Sequence, residues 1–216
     1  MLIVDAVLET PDTVGFSLWP VADLPPYQFM TLSGSMSPLE VGSAMAMLAG
    51  YNSWTSDDDR PVRDAGEAIR RMLSTDKVVA PGGLRLHDTR TNVTVPPGCC
   101  CGLEDWREWL DVANGGTPWL GHGPSPRLEH DDRVVRLWPD GADAQETPSG
   151  QSIEIVVDDL PGILQTVYEE LQGFLSVTKE WAHRQVPALT EDLAARLDEG
   201  LAISAPLTGC SGQHAP

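Results

Sequence analysis

Positive charge is scarce in this chain. Fourteen Lys and Arg face 32 Asp and Glu, for a net charge of −18, and lysine is represented only by Lys77 and Lys179. The deficit is spread along the chain: −5 over residues 1–97, −6 over 98–150 and −7 over 151–216. A surface negative all round disfavours phosphate backbones and anionic lipid, so neither a nucleic acid nor a membrane is expected as partner. It favours a basic protein, or solubility alone. Arginine in place of lysine, with many Ala and Gly, fits a high-GC bacterial genome.

Long apolar runs are also missing. No stretch approaches the ~18 residues of a membrane-spanning helix. Asp5, Glu9 and Asp12 interrupt the first 20 residues, where a secretory signal would need a basic start and an apolar centre. A soluble cytoplasmic protein is therefore expected. Cysteine is limited to Cys99, Cys100, Cys101 and Cys210. Three in a row suit a disulfide framework badly, and reduced thiols are the expectation. Phe and Tyr number three each against seven Trp. Trp joins a large apolar area to one N–H donor, which suits surfaces and clefts. No Gly-rich stretch ends in Lys-Ser/Thr, and Ser33-Gly34-Ser35-Met36-Ser37 lacks the second glycine of a nucleophile elbow. Calcium-loop spacing is absent from Asp57–Asp59, Asp131–Asp132 and Asp158–Asp159. No internal repeat is visible, and no cofactor is expected.

What is present reads as strands and helices in clusters, which argues an α+β fold over regular β–α alternation. Strands are expected at Leu2–Leu8, Phe16–Trp19, Lys77–Val79, Leu84–Leu86 around a Pro81-Gly82-Gly83 turn, Thr91–Val95 and Gln151–Val157. A hairpin is expected from Arg127–Glu129 and Arg133–Trp138. Ser37-Pro38-Leu39-Glu40 has the chemistry of a capping box, opening a helix to about Ala49. A second helix is expected over Pro61–Leu73, capped by Asp59 or Arg60, and a short one over Leu103–Val112. Leu160, Leu164, Val167, Leu171, Phe174, Thr178 and Trp181 recur every three or four residues, the stripe of a long helix packed on the core. Asp158-Asp159 would cap it. A last helix is read at Glu191–Leu197. The expected architecture is a mixed or antiparallel sheet packed by that long C-terminal helix and shorter ones. One compact domain would span residues 1–203, with a possible break near 96–98. Residues 139–150 read as a polar loop and 204–216 as a disordered tail.

Two stretches carry candidate chemistry. Gly98-Cys99-Cys100-Cys101-Gly102 lies between a Pro-Pro break and a helix start, where backbone N–H groups favour a thiolate. Glu104 and Asp105 just beyond oppose that charge. Three readings stay open: buried inert thiols, a catalytic thiol with His122 or His130, and a metal site. Zinc wants four ligands, and adjacent cysteine side chains diverge, so the metal arrangement is Cys99 and Cys101 with His122 and His130. In Leu103-Glu104-Asp105-Trp106-Arg107-Glu108-Trp109-Leu110, Trp106, Trp109 and Leu110 share a helix face. Glu104 and Glu108 share another, where carboxylates four residues apart can serve acid–base work or simply solvation. Trp119 and His122 could wall a pocket with Trp106.

Over about residues 95–184 the chain resembles a group of uncharacterised actinobacterial proteins. They share the Cys-rich turn, the Leu-Glu-Asp-Trp-Arg-Glu-Trp stretch, a hairpin and a long helix. The resemblance implies a bacterial cytoplasmic protein and assigns no activity to any residue. The expected function is a non-enzymatic acidic binding protein, such as an immunity or antitoxin-like inhibitor of a basic protein, with Trp106, Trp109, Trp119, His122, Glu104 and Glu108 at the contact. The alternative is an enzyme or metal-binding protein built on the Cys99–Cys101 turn with His122 or His130.

Overall fold

The computed structural model describes residues 1–53, 61–122, 126–139 and 151–207. The fold is α+β, with strands in two antiparallel sheets. The first contains β1 (Leu2–Glu9), β2 (Phe29–Thr31), β3 (Gly82–Asp88) and β4 (Val93–Val95), in the order β2-β1-β3-β4. The second contains β5 (Arg127–Asp131), β6 (Val134–Trp138) and β7 (Ile153–Val156), in that order. Helices α1 (Pro38–Ser53), α2 (Ala65–Leu73), α3 (Trp109–Val112), α4 (Leu160–Gln185) and α5 (Thr190–Gly200) complete it. Buried residues of both sheets and all five helices belong to one hydrophobic cluster. Among the described residues no helix is long and apolar enough to cross a membrane.

Helix α4 organises the core. All seven residues of its stripe are buried, as their period requires, and it packs against β1, α1, α3 and α5. The capping box also holds: the Ser37 N–H donates to Glu40 Oε2 at 2.7 Å and the Glu40 N–H to Ser37 Oγ at 3.3 Å. The hairpin β5–β6 turns at Asp132, whose φ of 44° lies in the left-handed region that Asp tolerates.

Other local expectations are corrected. Phe16–Trp19 forms no strand. The indole of Trp19 is buried, donates to the Gly42 carbonyl at 2.8 Å and meets Phe16 and Trp181 edge-on. Its apolar pattern serves helix packing, and the second strand is the short Phe29–Thr31 instead. Gly82 and Gly83 are not a turn but the first residues of β3, opposite Leu8 and Val7. A Cβ on Gly82 would lie 2.1 Å from the Val7 carbonyl oxygen, so only glycine lets the strands meet there. Helix α1 runs past Gly50 to Ser53, and Lys77–Val79 joins no sheet.

The cap of α2 is Asp64, whose carboxylate accepts from the Glu67 N–H at 2.8 Å. Asp57–Asp59 and Arg60 lie outside the described residues, as do 140–150 and 208–216. Leu103–Glu108 is a 3-10 run that leads into α3. Asp159 occupies the N-cap position of α4 without a side-chain capping bond; a 3-10 turn over Val157–Asp159 leads in, and Asp158 pairs with Arg133 at 3.4 Å. Ser204–Leu207 are described, and Arg107 holds the Ala205 and Pro206 carbonyls.

Glu67 gives α2 a pH dependence. It accepts from Arg63 Nε and Arg71 at 3.0 Å each and from the Arg63 N–H at 3.1 Å. The Arg63 side chain and then its backbone N–H hold the carboxyl down to about 2. A folded-state pKa below the unfolded one stabilises above the unfolded value, and that contribution disappears as pH falls through the folded value. Urea unfolding of wild type and Glu67→Gln should therefore show a gap at neutral pH that closes toward pH ~2. A gap unchanged by acid would refute the carboxylate as its source.

Candidate functional site

The Leu103–Leu110 stretch holds the fold together rather than presenting an aromatic face. Trp106 is 2% exposed and Trp109 6%, which removes both from a contact surface. The Trp106 indole N–H donates to the Leu201 carbonyl at 2.8 Å. Arg107 lies over that ring, 4.7 Å from its centroid, and donates to the Ala202 carbonyl at 2.9 Å. Glu104 and Glu108 do not act as a pair. Glu104 Oε2 accepts from the Ala80 N–H at 2.9 Å, and Glu108 Oε2 from the Trp119 N–H at 2.8 Å. Each carboxylate fastens a different segment of backbone to the 3-10 run. Lys77 sits 3.7 Å from Glu104 and 3.6 Å from Asp105.

Trp119 differs from the other two. It is 51% exposed, yet three contacts fix it: its backbone N–H on Glu108, its indole N–H on the Cys100 carbonyl at 3.4 Å, and its ring edge-on to His122 at 5.1 Å. The exposed His122 is placed by a bridge to the cysteine turn, its N–H donating to the Cys99 carbonyl at 2.9 Å. Gly121, with φ 87°, makes that approach possible, since a Cβ there would lie 2.7 Å from the Cys99 carbonyl oxygen. His130 is engaged elsewhere, its Nε2 meeting the Gly116 carbonyl at 3.0 Å.

The cysteine turn closes through the Cys101 N–H on the Gly98 carbonyl at 3.2 Å. Cys101 is half-buried, with its Sγ 3.7 Å from the Trp119 carbonyl. Cys99 and Cys100 are exposed, and their sulfurs are 3.3 Å apart. Sequence reasoning passed over Cys100, because neighbouring side chains in extended backbone point apart. Here Cys100 has φ 65°, a left-handed residue that swings its side chain to the side of Cys99. The flanking Pro-Pro-Gly and Gly102 were the available signal for such a turn. The Cys100 thiol beside it, and then burial and the Glu9 carboxylate, push the Cys99 thiol above its ordinary range. Burial, above all, does the same to Cys101. A nucleophilic cysteine needs the opposite shift. Among the described residues, no three His, Cys, Asp or Glu side chains are grouped to hold a metal ion. Cys210 lies outside those residues.

Trp106, Trp109, Trp119, Cys101 and Leu120 line a cavity of about 30 Å³. That is room for about one water, far below the ~300 Å³ of a small-molecule site. Two larger hollows lie elsewhere. One, of about 520 Å³, is mostly apolar and is lined by Phe16, Trp19, Met47 and Tyr51. The other, of about 430 Å³, lies between β1 and α4 beside Asp5, whose carboxylate is 2.7 Å from Arg85. Comparison with known proteins adds no relative: no family model, no curated protein and no solved structure matches this chain.

Proposed function

We propose that the protein is an acidic, non-enzymatic binding protein, an immunity or antitoxin-like inhibitor of a basic protein, and that Trp119 is its aromatic anchor. The observation that carries this reading is a tryptophan half exposed whose ring is nevertheless held at its N–H and at its edge. A rigid exposed indole loses little freedom on binding, which is the property of residues that dominate interfaces. His122 and Glu108 stand beside it, and the −18 charge steers a basic partner toward the surface. The carboxylates once candidates for acid–base work are occupied by backbone amides, which favours binding over catalysis at this face.

The test uses wild type and Trp119→Ala side by side. Partners are captured from the native host at low salt, and the captured protein is then titrated calorimetrically against both. The expected result is a basic protein bound more weakly as salt rises. Trp119→Ala should lose roughly 30-fold in affinity, the ~2 kcal/mol of an interface hot spot, with stability nearly unchanged. An acidic or nucleic-acid partner, or equal affinity in both proteins, refutes the proposal.

A further inference from the structure

We infer that Cys99 and Cys100 form a preorganised two-thiol chelate for a soft three-coordinate metalloid of the trivalent arsenic class. This site does not need the protein partner proposed above, although Trp119 borders both, and neither histidine side chain is a ligand. Three backbone contacts build it. The Cys101 N–H closes the turn on Gly98, the His122 N–H holds the Cys99 carbonyl, and the Trp119 indole holds the Cys100 carbonyl. Within that frame the left-handed Cys100 brings both sulfurs to one side, exposed and 3.3 Å apart.

The separation, a contact between two exposed thiols, is closest to one ligand geometry. At a metal–thiolate distance of ~2.3 Å, sulfurs 3.3 Å apart subtend about 92°. A tetrahedral ion at that distance would want them about 3.8 Å apart, and a linear one about 4.6 Å. A trivalent metalloid with a lone pair holds its ligands near a right angle, as this pair presents them. Soft thiolate donors suit such an ion. Closure to a disulfide fits less well. Adjacent α-carbons are about 3.8 Å apart across a trans peptide, short of the usual range for a cystine.

Binding of arsenous acid is a condensation. Two As–O bonds break and two As–S bonds form. The two thiol protons leave on the departing hydroxyls as two waters, and the third hydroxyl stays on arsenic. Arsenic remains trivalent and no electron is transferred. Overall the reaction starts from two thiols and releases no net proton, so the raised Cys99 thiol slows attack by its thiolate without weakening the equilibrium at neutral pH.

The reduced full-length protein, carrying Cys210→Ser to silence the remaining thiol, would be titrated with arsenite at neutral pH. The readouts are native mass after desalting and tryptophan fluorescence, which senses the Trp119–Cys100 contact. One arsenic per chain is expected, with a fluorescence change at the same stoichiometry. Cys99→Ser and Cys100→Ser should each weaken binding by roughly a hundredfold, as expected when one of two linked contacts is lost. Cys101→Ser should retain it. No retained arsenic, retention in Cys99→Ser or Cys100→Ser, or loss in Cys101→Ser each overturns the inference. Zinc competing at equal concentration would overturn the assigned ion geometry.

Discussion

Trp106→Ala is expected to destabilise the protein by about 3–5 kcal/mol, the usual cost of truncating a large buried aromatic. Two losses add. The ring is 2% exposed, so its removal leaves a cavity between the 3-10 run and the core. Its N–H also satisfies the Leu201 carbonyl, which would be left without that donor at the end of α5. For a chain of this length the change should lower the melting temperature by roughly 10–15 °C. Arg107 stacks on the same ring and holds Ala202, Ala205 and Pro206, so hydrogen exchange should rise over 201–206. Trp106→Phe separates the terms: it refills most of the space but not the donor, and should cost about 1–3 kcal/mol. Trp119→Ala is the contrasting case, because an exposed ring away from the core should move stability by less than ~1 kcal/mol. Denaturant unfolding of the three variants measures all of this. A Trp106→Ala protein as stable as wild type would return Trp106 to the list of surface anchors.

That contrast marks the limit of what the amino-acid order reveals. A tryptophan at helical spacing has the same pattern whether it faces a core or a partner. Trp106 and Trp109 could therefore be read either way, and Trp119, beyond that helix, has no periodicity to read at all; burial separates them. The α4 stripe was legible because seven residues keep one period, and the Ser37–Glu40 box because its chemistry is local. The β5–β6 hairpin was legible because the apolar run of Val134–Trp138 follows a turn that Asp permits. The Phe16–Trp19 segment misled because its apolar residues answer to α1 and α4 across the fold, not to a neighbouring strand. The carboxylates of Glu104 and Glu108 misled for the same reason: each meets an amide distant in sequence, Ala80 or Trp119. At the cysteine turn the residue types were visible, but the left-handed Cys100 that pairs the sulfurs was not.

Asn52→Leu is expected to cost about 2–4 kcal/mol, because it removes both partners of one backbone unit. Asn52 is 1% exposed at the end of α1. Its amide nitrogen donates to the Leu48 and Val79 carbonyls at 2.8 Å each, and its oxygen accepts from the Val79 N–H at 2.9 Å. The side chain thus pairs with residue 79 as a neighbouring strand would. Val79 takes its backbone pairing from a side chain, while the apolar Val78 is buried in the core and Lys77–Val79 joins no sheet. Leucine fills the space and leaves both Val79 groups without that partner. Asn52→Asp gives a sharper test. A carboxylate keeps the acceptor but faces two carbonyl oxygens, so its folded-state pKa should rise. An acid raised on folding is destabilising in full above its folded-state pKa, and the penalty fades as pH falls from there toward the unfolded value of about 4. Unfolding at neutral and acidic pH should show the Asn52→Asp deficit shrinking in acid while the Asn52→Leu deficit does not. If the two deficits moved together, poor packing around residue 52, and not the lost pairing with Val79, would be the cause.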